Sequence, residues 1–213
     1  MSSHPYERGG KRTSGSRTGI GRLDYAQTFL IVCEGERTEP NYFRAFRIAG
    51  DVRRIKVEGG CYNTLRLVEW AIELAGESDY DQVWCVFDRD AFPVEAFNNA
   101  LKLAKQKGIQ TAYSNEAFEL WYLLHYHYYH TGIARQAYCE KLDALLGRKY
   151  QKNDRAIYQQ LLLRQAEAIR NARRLLAEYD PPDPARDNPS TTVFRLVEEL
   201  NRYAPENLRR MRG

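Results

Sequence analysis

The stretch Thr28-Phe29-Leu30-Ile31-Val32-Cys33, closed at once by Glu34-Gly35-Glu36, decides how this chain folds. It is too short for a self-burying helix and too uniformly apolar for a strand with one wet face. It suits a strand covered on both sides, as in a parallel sheet. The pattern returns at Gln82–Phe87 (QVWCVF), closed by Asp88. Val52–Val57 (VRRIKV) is β-rich but more polar and is followed by Gly59-Gly60, which predicts a strand nearer the sheet edge. Ile109–Tyr113 makes a fourth strand.

Helices fill the gaps. Thr38 can cap one in which Tyr42, Phe43 and Phe46 form an apolar face. Asn63 or Thr64 opens a second, with Leu67, Val68, Ala71, Ile72 and Ala75 at helical spacing. Val94–Lys107 reads as a third, stopped by Gly108. The order β-α-β-α-β-α-β, with connections of crossover length, predicts an open, mostly parallel α/β sheet of about four strands. Beyond Asn115 no further strand is expected. Glu116–His130, Ala134–Leu146, Asp154–Tyr179 and Thr191–Tyr203 read as helices, with Pro181-Pro182-Asp183-Pro184 breaking the chain before the last. The predicted organisation is a basic, Gly/Ser-rich flexible tail over residues 1–27, an α/β domain over 28–130, and a helical C-terminal region over 131–213 packed on the same domain.

At 213 residues and 43% hydrophobic, the chain can bury a real core. No apolar run approaches the ~18–20 residues of a membrane span, and the N-terminus lacks a signal-peptide core. Membrane and secreted classes are therefore not expected, and the expected compartment is cytoplasmic. Cys33, Cys61, Cys85 and Cys139 show no C-x-x-C spacing, which predicts free thiols in a reducing environment. The net charge of +4 is unevenly spread: Arg8, Lys11, Arg12, Arg17 and Arg22 face only Glu7 within residues 1–22. Arg202, Arg209, Arg210 and Arg212 crowd the other end against Glu206. Basic extremities on a mildly acidic body do not resemble a duplex-coating protein, though they can strengthen contact with a polyanion.

Open parallel sheets bind ligands beyond the carboxyl ends of their strands. The first strand ends in Glu34-Gly35-Glu36-Arg37-Thr38-Glu39 and the third in Asp88-Arg89-Asp90. If these strands are neighbours, Glu34, Asp88 and Asp90 meet at one rim, where they repel one another unless a cation shares them. Such hard oxygen donors suit Mg²⁺ or Mn²⁺, which polarise a phosphoryl oxygen and activate water. Gly35 permits close approach, and Glu39 is a candidate ligand for a second metal or a helix-start carboxylate favoured by the dipole.

Phe29–Phe43 (FLIVCEGERTEPNYF) resembles the opening motif of the RloB-like family. So do VWCVFDRD, AYSNEAFELWYLLH and NPSTTVFRLVEEL further on. That family is similar to Toprim domains, the acidic module of topoisomerases, primases and OLD-type nucleases, and is associated with restriction loci and abortive defence against phage. The resemblance implies a Toprim-like, Rossmannoid fold, a catalytic and metal-binding glutamate at Glu34, a D-x-D pair at Asp88 and Asp90, and an ATPase partner encoded nearby. In OLD-type relatives a second acidic residue follows the first by four positions. Here that position is Thr38, and Glu39 is displaced by one.

Other segments offer weaker candidates. Ser114 and Asn115 are expected to cap the helix that follows, with Asn115 and Glu119 as accessory groups near a metal-bound water or phosphate. His125, His127 and His130 (HYHYYH) suggest zinc, but the spacing is not H-E-x-x-H, so the stripe reads as aromatics packed into the core rather than as a metal site or a base-stacking surface. Arg148-Lys149-Tyr150-Gln151-Lys152 is a basic-aromatic patch leading into Arg155. Lys149, Lys152 and Arg155 are the expected nucleic-acid contacts, a solvated helix face being the alternative.

The leading expectation is a Mg²⁺-dependent phosphodiesterase or nuclease, acting on DNA or RNA in anti-phage defence. Two alternatives stand beside it. One is a haloacid-dehalogenase-type phosphatase, suggested by VFDRDAF, although its nucleophile would then follow the third strand and leave Glu34 without a role. The other is a non-catalytic subunit that binds nucleic acid or an ATPase. The sequence contains no G-x-x-x-x-G-K-[ST], so ATP hydrolysis would come from elsewhere, and a homo-oligomer is compatible with it.

Overall fold

The structure, a computed structural model, describes residues 27–48, 55–60, 63–90 and 93–208. The tail expected over 1–27 lies outside them except for Gln27, as do Cys61 and the last five residues. A five-stranded sheet forms the centre, in the order β2-β1-β3-β4-β5. Its strands are β1 (Phe29–Cys33), β2 (Ile55–Gly59), β3 (Gln82–Asp88), β4 (Gln110–Asn115) and β5 (Ser190–Thr191). The first four run parallel and β5 is antiparallel to β4. The eight α-helices of the described residues are α1 (Thr38–Arg44), α2 (Thr64–Ala75), α3 (Val94–Gln106), α4 (Glu119–Leu124), α5 (Arg135–Leu146), α6 (Ile157–Leu161), α7 (Gln165–Leu176) and α8 (Val193–Arg202).

Every residue of β1 is fully buried. Alternate side chains feed two cores, as the pleat requires. Phe29, Ile31 and Cys33, with Trp84 and Val86 of β3, face a layer built from α1, α4, α5, α7 and α8. Leu30 and Val32, with Cys85 and Phe87, face α2 and α3. A continuous apolar run is stable here because both faces are covered. β2, the more polar strand, takes the sheet edge. Cys33, Cys85 and Cys139 are free thiols, and among the described residues no helix is long and apolar enough to cross a membrane.

Several expectations need correction. β5 was not expected: it is two polar residues, held by pairing rather than hydrophobicity. Ser114 pairs with Thr191 and Asn115 with Ser190, and the Ser114 and Thr191 hydroxyls lie 2.9 Å apart. Thr191 Oγ1 also donates to the Tyr113 carbonyl at 3.2 Å, and Thr192 Oγ1 accepts from the Tyr113 N–H at 3.0 Å. The helix expected over Glu116–His130 is cut to α4. The long helix expected over Asp154–Tyr179 is split into α6, a 3₁₀ turn at Leu162–Arg164, and α7. Asn63 caps α2, its Oδ1 accepting from the Arg66 N–H at 2.9 Å. Thr38 does not cap α1, whose N-cap is Arg37. Ser114 and Asn115 do not cap α4 either; they end β4, and Phe118 stands at the N-cap without a side-chain bond.

The strand order positions the site. The chain steps one way from β1 to β2 and the other way from β1 to β3, so its direction reverses between β1 and β3. In open α/β sheets the crevice beyond the strand ends at such a reversal is where ligands bind.

If the β4–β5 pairing is held by buried hydroxyls, Thr191→Val, which keeps the shape and removes the oxygen, should lower unfolding free energy by about 1–3 kcal/mol. A urea titration at unchanged slope reads this. Arg170→Ala, which removes an exposed i,i+3 pair with Glu167, should shift stability by less than about 0.5 kcal/mol.

Candidate metal centre

Parallel register makes the rim. Cys33 lies opposite Val86, and the Glu34 N–H continues the ladder by donating to the Val86 carbonyl at 2.9 Å. Glu34 therefore emerges beside Phe87, and its side chain reaches the next residue, Oε2 accepting from the Asp88 N–H at 3.1 Å. Glu34, Glu39, Asp88, Asp90 and Glu119 line one cavity of about 500 Å³, with Arg37, Asn63, Arg135 and Lys152 among the other lining groups.

Each acid arrives by a different route. Glu34 and Asp88 are strand ends. Glu39, on the first turn of α1, folds back over Gly35 so closely that a Cβ at position 35 would run into its carboxylate. A Cβ at Gly59 would come within 2.6 Å of the Gly35 carbonyl, so the loop has glycine on both sides where space is least. Glu119, 2% exposed, opens α4 and accepts a hydrogen bond from the Tyr150 hydroxyl at 3.1 Å.

Positive charge comes mainly from Arg135, the first residue of α5. Its Nη2 stands 3.1 Å from Asp88 Oδ2 and 3.9 Å from Asp90 Oδ2, and it also donates to the Glu116 carbonyl at 3.2 Å. A cation at a helix N-terminus opposes the dipole, and the carboxylates offset that penalty. Sequence reasoning missed Arg135, although a basic residue opening a helix was itself a signal of acidic company.

Burial dominates the electrostatics. It pushes the Glu34 and Glu39 carboxyls up to about 7 and raises Asp88 well above the usual carboxylate range. For Glu34 the Asp88 N–H pulls the other way and Asp90 adds repulsion; for Asp88 the next contributions are repulsion by Glu39 and relief by Arg135. Two like charges at 4 Å cost about 4 kcal/mol at an effective dielectric constant of 20, so the cluster must take up protons or cations.

The donor type, though not the present spacing, suits a hard divalent ion. The donors are carboxylate oxygens, and Asp88 Oδ1 is buried with no hydrogen-bond partner. Among the described residues no three His, Cys, Asp or Glu side chains are grouped so as to hold an ion in the arrangement seen; Arg135 is the cation between the aspartates.

The remaining candidates scatter. Lys152 lines the cavity, whereas Lys149 and Arg155 are exposed and lie outside its lining. Tyr150 is buried against Glu119, not part of an open basic-aromatic patch, and Arg148 is ion-paired with Asp154. Asn115 donates to the Asp187 carbonyl at 2.9 Å, away from the cavity. His125 is fully buried, its Nδ1 2.9 Å from the Trp121 carbonyl, and burial lowers its pKa to about 4. His127 and His130 lie on the surface beyond α4 rather than in the core.

An open, mostly parallel α/β sheet with carboxylates gathered beyond its β1 and β3 ends is a Toprim-like architecture. The chain belongs to the RloB-like family, whose model, described as RloB-like protein, matches residues 29–200. No curated protein and no solved structure matches it.

With folded-state values near 7 against 4.5 in the unfolded chain, Glu34 and Glu39 make the native protein hold more protons between those values. Their contribution to stability is fullest below about pH 4.5 and is lost as pH rises through about 7. Metal-free protein should melt at progressively lower temperature across that window. A Glu34→Gln, Glu39→Gln double variant should lose that part of the decline, as differential scanning fluorimetry would show.

Proposed function

We propose that this protein is a Mg²⁺- or Mn²⁺-dependent phosphodiesterase that cleaves nucleic acid in the cytoplasm, serving anti-phage defence with a separate ATPase partner. The observation that carries the reading is the meeting of Glu34, Asp88 and Asp90 at the β1/β3 strand ends, with one Asp88 oxygen buried and unsatisfied. The family's association with restriction loci and abortive infection supports the biological setting.

Asp88 and Asp90 would hold the ion together with Glu34, and Glu39 and Glu119 would serve a second. Such an ion supplies a polarised phosphoryl oxygen and an activated water. The chain's own groups do the rest. Where Glu34 is not itself a ligand, its carboxyl, raised to about 7 by burial, holds or releases a proton near neutrality, as a general acid or base requires. Its bond from the Asp88 N–H fixes one carboxylate against the other. Lys152 and Arg37 set positive charge on the cavity wall, where a phosphate would approach. Residues of α1 and α4, with Phe118 beside them, form part of the cavity wall.

With labelled RNA and DNA and either metal, Asp88→Ala should reduce cleavage by about 100-fold or more. Lys152→Ala should weaken substrate binding and flatten its salt dependence. Equal cleavage by wild type and Asp88→Ala would remove the assignment. Absence of divalent-ion binding, alongside capture of an ATPase, would favour the non-catalytic subunit.

A further inference from the structure

We infer that Arg135 is a built-in competitor of the divalent ion: it neutralises the rim while the site is metal-free and must give up Asp88 and Asp90 for metal to bind. The inference rests on the reading of the rim as a metal centre and adds a residue that sets the affinity of that centre.

Three observations support it. First, Arg135 Nη2 spans Asp88 Oδ2 and Asp90 Oδ2, the oxygens an ion would need, at 3.1 and 3.9 Å. One position cannot be shared by a guanidinium and a divalent ion. Second, the guanidinium satisfies the pair incompletely. Asp88 Oδ1 stays buried without a partner while Oδ2 is engaged, so a ligand that used both oxygens would satisfy what Arg135 leaves unmet. Third, Arg135 is the solvent-facing partner of the pair. Its side chain is 40% exposed, whereas that of Asp88 is 12% exposed, and it projects from the first turn of α5, where the dipole disfavours it. Asp88 closes a buried strand, whereas Arg135 reaches it from a helix end across the cavity.

Displacement would leave the guanidinium at the cavity wall, which it already lines. A planar, permanently charged fork there suits a phosphodiester oxygen. Metal loading and phosphate binding would then be linked by one side chain, and a metal-free protein would keep part of its carboxylate charge offset.

Mn²⁺ binding to the full-length protein, followed by electron paramagnetic resonance at neutral pH without nucleic acid, tests this directly. Arg135→Gln should bind Mn²⁺ about tenfold more tightly than wild type, and Arg135→Lys, which keeps the charge, should stay close to wild type. Metal-free Arg135→Gln should melt lower than wild type and recover on adding Mn²⁺, which shows that it is folded. Binding by Arg135→Gln alone would be the extreme of the expected result. If wild type binds Mn²⁺ and Arg135→Gln binds it no more tightly, or more weakly, the competition is refuted while the metal centre stands. If neither folded protein binds Mn²⁺, both the competition and the metal-dependent reading fail.

Discussion

The side chain of Glu34 accepts the backbone N–H of Asp88 across the ends of two strands that are themselves buried on both faces. That contact exists because β1 and β3 are parallel neighbours in a register that places Cys33 opposite Val86. Parallel strands point their carboxyl ends the same way, so acids that follow them are driven together whatever their separation in sequence. The sheet cannot relax this crowding without giving up the core beneath it. Charge compensation must therefore come from protons, basic side chains or bound cations, and the surrounding structure shows the first two. Burial raises Glu34 and Glu39 to about 7, Arg135 is drawn in, and the carboxylate set suits a hard ion.

The supporting elements are organised around that crowding. Gly35 leaves out the Cβ that would block the return of Glu39 over the loop, and Gly59 leaves out one that would meet the Gly35 carbonyl and Pro40. Tyr150 reaches in from the segment after α5 to bond Glu119, so the helical C-terminal part supplies a wall of the cavity as well as covering one face of the sheet. β5 adds a different constraint. Its hydroxyl contacts with Tyr113 and Ser114 tie the start of α8 to the end of β4, on the flank of the same rim. The acids therefore sit between hydrogen-bonded flanks, with the Arg135 guanidinium as their more exposed partner.

Much of this was legible in the residues. TFLIVC and QVWCVF announced buried parallel strands because nothing polar interrupts them, and the more polar VRRIKV marked the sheet edge. The placement of Glu34 and Asp88 at one rim was legible because a strand end is recognisable by the first acid after an apolar run, and Asp90 follows Asp88 by two. Other features left no comparable trace. β5 has no apolar signature, since two polar residues become a strand only by meeting β4. The stretch from Glu116 to His130 carries helix-compatible apolar residues throughout, yet only Glu119–Leu124 is α-helical, because the segments on either side pack as turns against other elements. Nothing in the residues after Asp154 likewise marked the 3₁₀ interruption at Leu162–Arg164.

By itself, the sequence determined which segments must be buried, that the sheet is largely parallel, and which three acids stand at its rim, since hydrophobic runs and strand-terminal charges are local properties of the chain. The tertiary structure alone decided that Glu39 and Glu119 join those acids, that Arg135 is their partner, that Lys152 but neither Lys149 nor Arg155 lines the cavity, and that Asn115 serves the β4–β5 junction instead. Those outcomes depend on distances between groups remote in sequence. Such distances are set by how helices pack across the sheet, which no local pattern of residues encodes.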